Sequence, residues 1–291
     1  MVINETCQTS NTKNPGSKKQ CTPKAVVTYM LAKNSFSFAS LDAIKDEANW
    51  QTAKLNKDVI PFYFIEDAPE TNNTEDTLYE GRMTTYKTGD GVKGVTYNKI
   101  LSDCSYSALK SYDGSGEYTR IFRITKNNEV HCEAQSDGTI KGEPMSSYLV
   151  GQLIEGTDEK PQNAQVDIKF KSYDKSTIEP NFDILDFEGI YDVTLSAETV
   201  SATSIAFKAL VGCAGDEPLT TIEDANVELL DGAGASYART FVAYNAATGV
   251  YEITGTGFSN GFVLKLKGPS NDRFVISGIT YESNQLTIAG I

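Results

Sequence analysis

The sequence predicts a mainly β protein in two parts. The first is an α+β N-terminal domain whose sheet forms a sandwich or barrel with one or two helices, and the second is a C-terminal β-sandwich. Three observations predict this. The chain has 291 residues, which at roughly 100–200 residues per domain suggests two cores. From Tyr191 to Ile288 apolar residues recur with a strand period, in short runs broken by turn residues. Upstream, strand-like runs alternate with two stretches that carry apolar residues at helical spacing.

Taken in order, residues 1–24 form a polar basic arm of Asn, Thr, Ser, Lys and Gln, too polar to fold alone. The N-terminal domain is expected over 25–178. Ala25–Tyr29 is rich in β-formers, and Ser40 is placed to cap a helix running to Leu55, with Leu41, Ile44, Ala48 and Leu55 on one face. Val59–Ile65 is a buried strand that Pro61 places at a sheet edge or bulge. Glu66–Thr77 is an acidic, Asn/Thr-rich loop, and with Tyr79–Tyr97 it makes a long excursion with few apolar residues, a candidate contact surface. A second helix is predicted over 98–112 from Leu101, Cys104, Ala108, Leu109 and Tyr112, which makes Cys104 a core residue. Tyr118–Thr125 and Val130–Glu133 form a hairpin turned by Asn residues, and Asp137-Gly138 makes another turn. In Gln165–Tyr173, Val166, Ile168 and Phe170 face a dry side and Asp167, Lys169 and Lys171 a wet one.

Residues 179–188, with Pro180 and four acidic side chains, are expected to be an acidic linker. Over 189–291 the runs Tyr191–Leu195, Ser204–Cys213, Ala225–Leu230, Tyr237–Tyr244, Gly249–Thr254, Gly261–Lys267, Arg273–Ile276 and Gln285–Ile288 predict a sandwich of about seven strands. Asn245–Gly249 closes one hairpin. The architecture is immunoglobulin-like without the Cys and Trp signature of that fold.

Charge and composition exclude several function classes. The net charge is −13, with +4 over residues 1–33, −10 over 34–187 and −7 over 188–291. Such a surface repels phosphate and argues against specific nucleic-acid binding. The longest strongly apolar stretch, Val59–Ile65, is far short of the ~20 residues of a membrane span, so no membrane partner is expected. Met1-Val2-Ile3 is followed at once by polar residues, so no signal peptide is expected. One histidine, His131, leaves triads and multi-histidine metal sites without their residues. Five cysteines without a C-x-x-C pair suggest neither a zinc ribbon nor a disulfide framework, and Cys213 is expected to be a strand core residue. Cys7 and Cys21, in the arm, are the ones placed to be exposed.

No catalytic, cofactor or metal residue is expected, and no enzyme. Gly89-Asp90-Gly91-Val92-Lys93-Gly94 has the spacing of a dinucleotide loop, but its polar, β-like flanks suit a turn. The pairs Asp183/Asp186 and Glu223/Asp224 have the residue types of a glycosidase. Among 39 acidic side chains a solvated face explains such pairs more simply.

The arrangement of polar arm, Ser40–Leu55 helix, long Glu66–Tyr97 loop, strands at Tyr118–Glu133 and Gln165–Tyr173, and appended sandwich including Thr248-Gly249-Val250-Tyr251-Glu252-Ile253 resembles the major tail (tail tube) proteins of long-tailed bacteriophages that end in an immunoglobulin-like domain. The resemblance implies a structural virion protein that assembles with itself into stacked, hexameric rings. Its partners would be its own copies and other tail proteins, and DNA would pass through the lumen without specific binding. Arms and long loops would clasp neighbouring subunits, making Lys13, Lys18, Lys19 and Lys24 of the arm and Glu66, Asp67, Glu70, Glu75 and Asp76 of the loop the candidate inter-subunit contacts. The alternatives are a capsid-decoration or head–tail connector protein, or a carbohydrate-binding adhesion module, to which a tyrosine-rich sandwich is suited.

Overall fold

In β1 (Val26–Ala32) almost every side chain is buried, on both faces, because both faces of the strand are covered. The computed structural model describes residues 25–62, 69–80, 84–89, 91–171, 175–212, 217–268 and 272–291. It divides into two units, Met1–Phe187 and Glu188–Ile291, and is mainly β throughout.

In the first unit, β1 leads to α1 (Leu41–Lys45) and α2 (Glu47–Leu55) and then to β2 (Val59–Pro61). The single helix expected over 40–55 is two helices broken at Asp46, whose backbone is extended. Local chemistry explains both starts: the Ser40 hydroxyl accepts the Ala43 N–H at 3.2 Å and the Asp46 carboxylate that of Ala48 at 3.1 Å. Trp50 locks the bend by donating its indole N–H to the Ile44 carbonyl at 2.7 Å. β2 pairs only with β1 among the described residues, so Pro61 lies on an edge as its missing N–H requires.

The loop segment contains β3 (Glu70–Thr71), β4 (Thr77–Glu80) and β5 (Thr85–Gly89), followed by β6 (Gly94–Ile100) and α3 (Asp103–Lys110). The helix expected over 98–112 is shorter. Asn98–Ile100 pairs instead with the strand beginning at Asn163, and Ser102 caps the helix. Ala108 is exposed, and Cys104 is half-buried and disulfide-bonded to a partner outside the described residues, so it is not a core thiol. The cysteine pattern suggested no disulfide framework, yet Cys104 forms a disulfide, and among the described residues there are three α-helices where one or two were expected. Cys7, Cys21 and Cys213 lie outside the described residues.

The remaining strands are β7 (Arg120–Thr125), β8 (Val130–Ala134), β9 (Ile140–Lys141), β10 (Glu143–Val150), β11 (Asn163–Phe170) and β12 (Lys175–Ile178). The expected β7–β8 hairpin forms, with Asn128 at positive φ in its turn. The sheet order is β12-β8-β7-β10-β11-β6-β3, with β1 also on β7. β10 pairs with β7 at Glu143 and Pro144 and with β11 from Met145 onward, with a bulge between Met145 and Ser147. That bulge bends the sheet into a half-barrel. Alternation then divides the core. Met30, Ala32, Phe122 and Ile124 pack with Trp50 and Phe38 on one face, while Tyr29 stacks on Tyr97 at 5.6 Å on the other.

The expected linker, 179–188, is anchored to this core up to Phe187, with Pro180 and Ile184 buried and residues 179, 181, 183 and 186 exposed. Ile184 is buried, with Phe182, Leu185 and Phe187 packed around it. Asn128 anchors the segment by accepting the Ile184 N–H at 2.8 Å and donating to the Phe182 carbonyl at 2.6 Å.

The second unit contains β13 (Ile190–Val200), β14 (Ser204–Val211), β15 (Glu217–Pro218), β16 (Val227–Leu230), β17 (Thr240–Asn245), β18 (Val250–Thr254), β19 (Val263–Leu266), β20 (Arg273–Ile276), β21 (Ile279–Ser283) and β22 (Leu286–Thr287). One sheet runs β17-β18-β14-β13-β21-β20 with β15 on β14, and a smaller one runs β16-β19-β22. Val193, Leu195, Ile205 and Phe207 of the first share one core with Leu229, Leu264 and Leu266 of the second, so the unit is a sandwich. Burying each such side chain is worth roughly 1.5–3 kcal/mol. β21 was not expected from the sequence. The positive φ values of Ser277 and Gly278 make the two-residue turn that returns β20 into it.

Candidate functional site

The Gly-rich loop is the natural place to look for a ligand cradle, and its backbone donors are already used. The Gly91 N–H goes to Asp76 Oδ1 at 2.7 Å, that of Val92 to Thr74 Oγ1 at 2.6 Å and that of Gly94 to Asn73 Oδ1 at 2.9 Å. Three side chains from one strand of the excursion latch the other. Glycine is needed for that closeness: a Cβ on Gly91 would sit 2.0 Å from the Thr74 carbonyl oxygen, and one on Gly94 2.4 Å from that of Asn72. Beneath the latch, Asp167 accepts from Asn72 and Thr96, and Lys169 Nζ donates to Asn72 Oδ1 at 2.8 Å. The expected wet face of β11 is therefore partly covered by the loop, with Asp167 and Lys169 half-buried.

Beyond the latch stands the β4–β5 hairpin, paired with no other strand among the described residues. All of its described side chains are exposed. Tyr79 and Tyr86 are direct cross-strand partners, 64% and 59% exposed, and Leu78 on the adjacent position is 57% exposed. An isolated two-stranded hairpin is marginal in water, and exposed apolar side chains gathered on one element mark an interaction surface.

Of the expected inter-subunit contacts, Lys13, Lys18, Lys19, Lys24, Glu66 and Asp67 lie outside the described residues. Glu70 lies in β3 opposite Thr96 and is exposed, as is Glu75. Asp76 is an intramolecular clasp. The Gly91 N–H, then the Lys87 ammonium at 2.6 Å, hold its carboxyl below the usual carboxylate range. The structure thus brings Asp76 to the hairpin base and leaves Leu78, Tyr79 and Tyr86, which the sequence did not single out, exposed along its two strands.

A second group that sequence reasoning missed is buried in the half-barrel. Arg123 on β7 grips Glu143 on β10 and stacks 4.5 Å from the Phe170 ring centroid. His131 on β8 lies opposite Arg123 on one side and Thr177 on the other. It is buried, and neither ring nitrogen has a hydrogen-bond partner among the described residues. Burial, with Lys175 and Arg123 nearby, lowers its pKa to about 3. The one signal in the sequence is Arg123 alternating with Ile121 and Thr125 while Phe122 and Ile124 face the other way.

Among the described residues, no group of three or more His, Cys, Asp or Glu side chains is placed to hold a metal ion, and no helix is long and apolar enough to cross a membrane. The glycosidase-type pairs are engaged locally. Asp183 caps the 184–186 turn through the Leu185 N–H at 3.0 Å, and Asp224 is held by Arg239. No protein-family model matches this sequence, and neither does any curated protein.

Proposed function

We propose that this chain is a structural subunit that assembles with copies of itself into stacked rings, as the tail tube of a long-tailed phage. The observation that carries the reading is the β4–β5 hairpin, which exposes Leu78, Tyr79 and Tyr86 and is latched at its base by Asn73, Thr74 and Asp76. A latched base and exposed apolar side chains fit an element that completes its packing against a neighbour. Such a contact is heterologous, between different surfaces of two copies, and it generates closed rings or open-ended stacks. The second unit, a separate sandwich, would decorate the assembly. The acidic body would let DNA pass through a lumen without adhering.

Negative-stain electron microscopy of the full chain over a range of concentration and salt tests this. Stacked rings or hollow tubes are the expected result. Monomers at every concentration and salt would overturn spontaneous assembly and favour capsid decoration or glycan binding.

A further inference from the structure

Among the described residues, the acidic side chains inside the half-barrel are already engaged. Arg123 takes both oxygens of the buried Glu143, and Glu129 accepts from Thr125 at 3.2 Å. Besides the Tyr97 hydroxyl, which has no hydrogen-bond partner among the described residues, His131 and Lys175 are left over. A neutral imidazole always carries one N–H, and that of His131 donates to nothing among the described residues, in a side chain 2% exposed. Lys175 on β12 lies opposite Glu133, two register pairs from Thr177 and His131, so its side chain shares their face and lies on the diagonal from His131, within reach of a long side chain. Glu133 is engaged instead by Arg120 at 2.7 Å, and Lys175, half-buried, makes no ion pair among the described residues.

Buried donors without acceptors are costly, and native interiors satisfy them with protein, water or a bound group. We propose that this interior binds a small inorganic anion, of the size of chloride, between the Lys175 ammonium and the His131 N–H. Chemistry favours an anion over a further cation, since the charge left unpaired here among the described residues is the Lys175 ammonium, while Glu143 and Glu129 are already engaged. Burial above all lowers the Lys175 pKa to about 8, with Arg123 and Lys93 adding to the effect and Glu143 and Glu129 opposing it.

Binding is linked to protonation. The groups facing His131 are Arg123 from β7, Glu143 from β10 and Lys175 from β12, and burial first, then the two cations, keep its ring neutral. An anion placed between His131 and Lys175 reverses that balance, raises both pKa values, and is taken up together with a proton. Affinity therefore rises as pH falls, by up to about tenfold per unit while His131 titrates between its free and bound values.

The experiment is thermal unfolding of the full chain in sodium chloride against sodium gluconate at equal ionic strength, with bromide and nitrate as further probes, at pH 8, 7 and 6. A saturable rise in Tm with chloride, larger at pH 6 than at pH 8, is expected, because a ligand bound by the folded state alone stabilises it by mass action. His131→Phe and Lys175→Met should abolish the chloride-specific rise. Chloride-35 line broadening on the wild-type protein, reversed by excess bromide, reads the site directly without relying on a variant that folds. Equal Tm in chloride and gluconate at every pH, without line broadening, would overturn the proposal, as would a chloride effect unchanged in both variants. Neither result touches the assembly reading, which rests on the hairpin.

Discussion

Arg123 and Glu143 meet across two strands of the half-barrel in a two-point ion pair, with Arg123 Nη2 2.7 Å from Glu143 Oε1 and the Glu143 side chain wholly shielded from solvent. β10 begins beside β7, with Glu143 opposite Ile121, and pairs with β11 from Met145 onward. The pair thus sits where the sheet bends.

Removing one partner leaves a buried charge without compensation. Glu143→Ala should cost about 3–5 kcal/mol, while replacing both residues with apolar ones of similar volume, Arg123→Met with Glu143→Leu, should recover most of the loss. Trp50, the single tryptophan, is in the first unit, so its fluorescence in urea reports this unit alone. A Glu143→Ala midpoint equal to that of wild type would show that the pair contributes nothing.

Acid should weaken the first unit through His131. Its folded pKa of about 3 lies below its ordinary value of 6.5, so the unfolded chain binds the proton more readily. The stability is fully present above pH 6.5 and is lost as pH falls from there toward 3, an effect on the order of 3 kcal/mol by pH 4. Carboxylates titrate in the same range, so the measurement is the difference between wild type and His131→Phe in gluconate, followed by Trp50 fluorescence. Parallel pH curves for the two proteins would contradict the assignment.

The exposed hairpin should matter for association and not for folding. Leu78→Ser with Tyr79→Ser removes apolar surface that is already exposed, so unfolding should stay within about 0.5 kcal/mol of wild type. Sedimentation velocity should show the assembled species lost. Unchanged assembly would place the contact elsewhere.

The latch depends on close backbone approach. Gly91→Ala brings a Cβ within 2.0 Å of the Thr74 carbonyl oxygen, whereas Gly116→Ala, with nothing within 4 Å, is a neutral control. Limited proteolysis should cut between 69 and 93 faster in the first variant than in the control, with the Trp50 unfolding midpoint held in both. Equal cleavage would mean that the latch does not restrain the hairpin.

Much of the fold was legible in the sequence because its signals are local. Val166, Ile168 and Phe170 alternate, and all three are buried on β11. The turn residues at Asn128, Gly138 and Gly249 have the positive φ that a turn asks of Asn and Gly. The errors arose where two local signals coincided. Asn98–Ile100 suits a helix start as well as a strand, and pairing with β11 decided it. Residues 179–187 are acidic enough for a linker, yet Ile184 is anchored by Asn128, which is distant in sequence.

The sequence by itself determined the β character, most strand positions, the capping at Ser40 and the acidic balance, since backbone sterics, turn chemistry and charge act over a few residues. Only the tertiary structure decided that Asp76 clasps Gly91, that Arg123 meets Glu143, and that His131 has no hydrogen-bond partner among the described residues. Each of these depends on which residues the fold brings together and which it removes from water. Periodicity marks the face of a strand but does not show what will cover it.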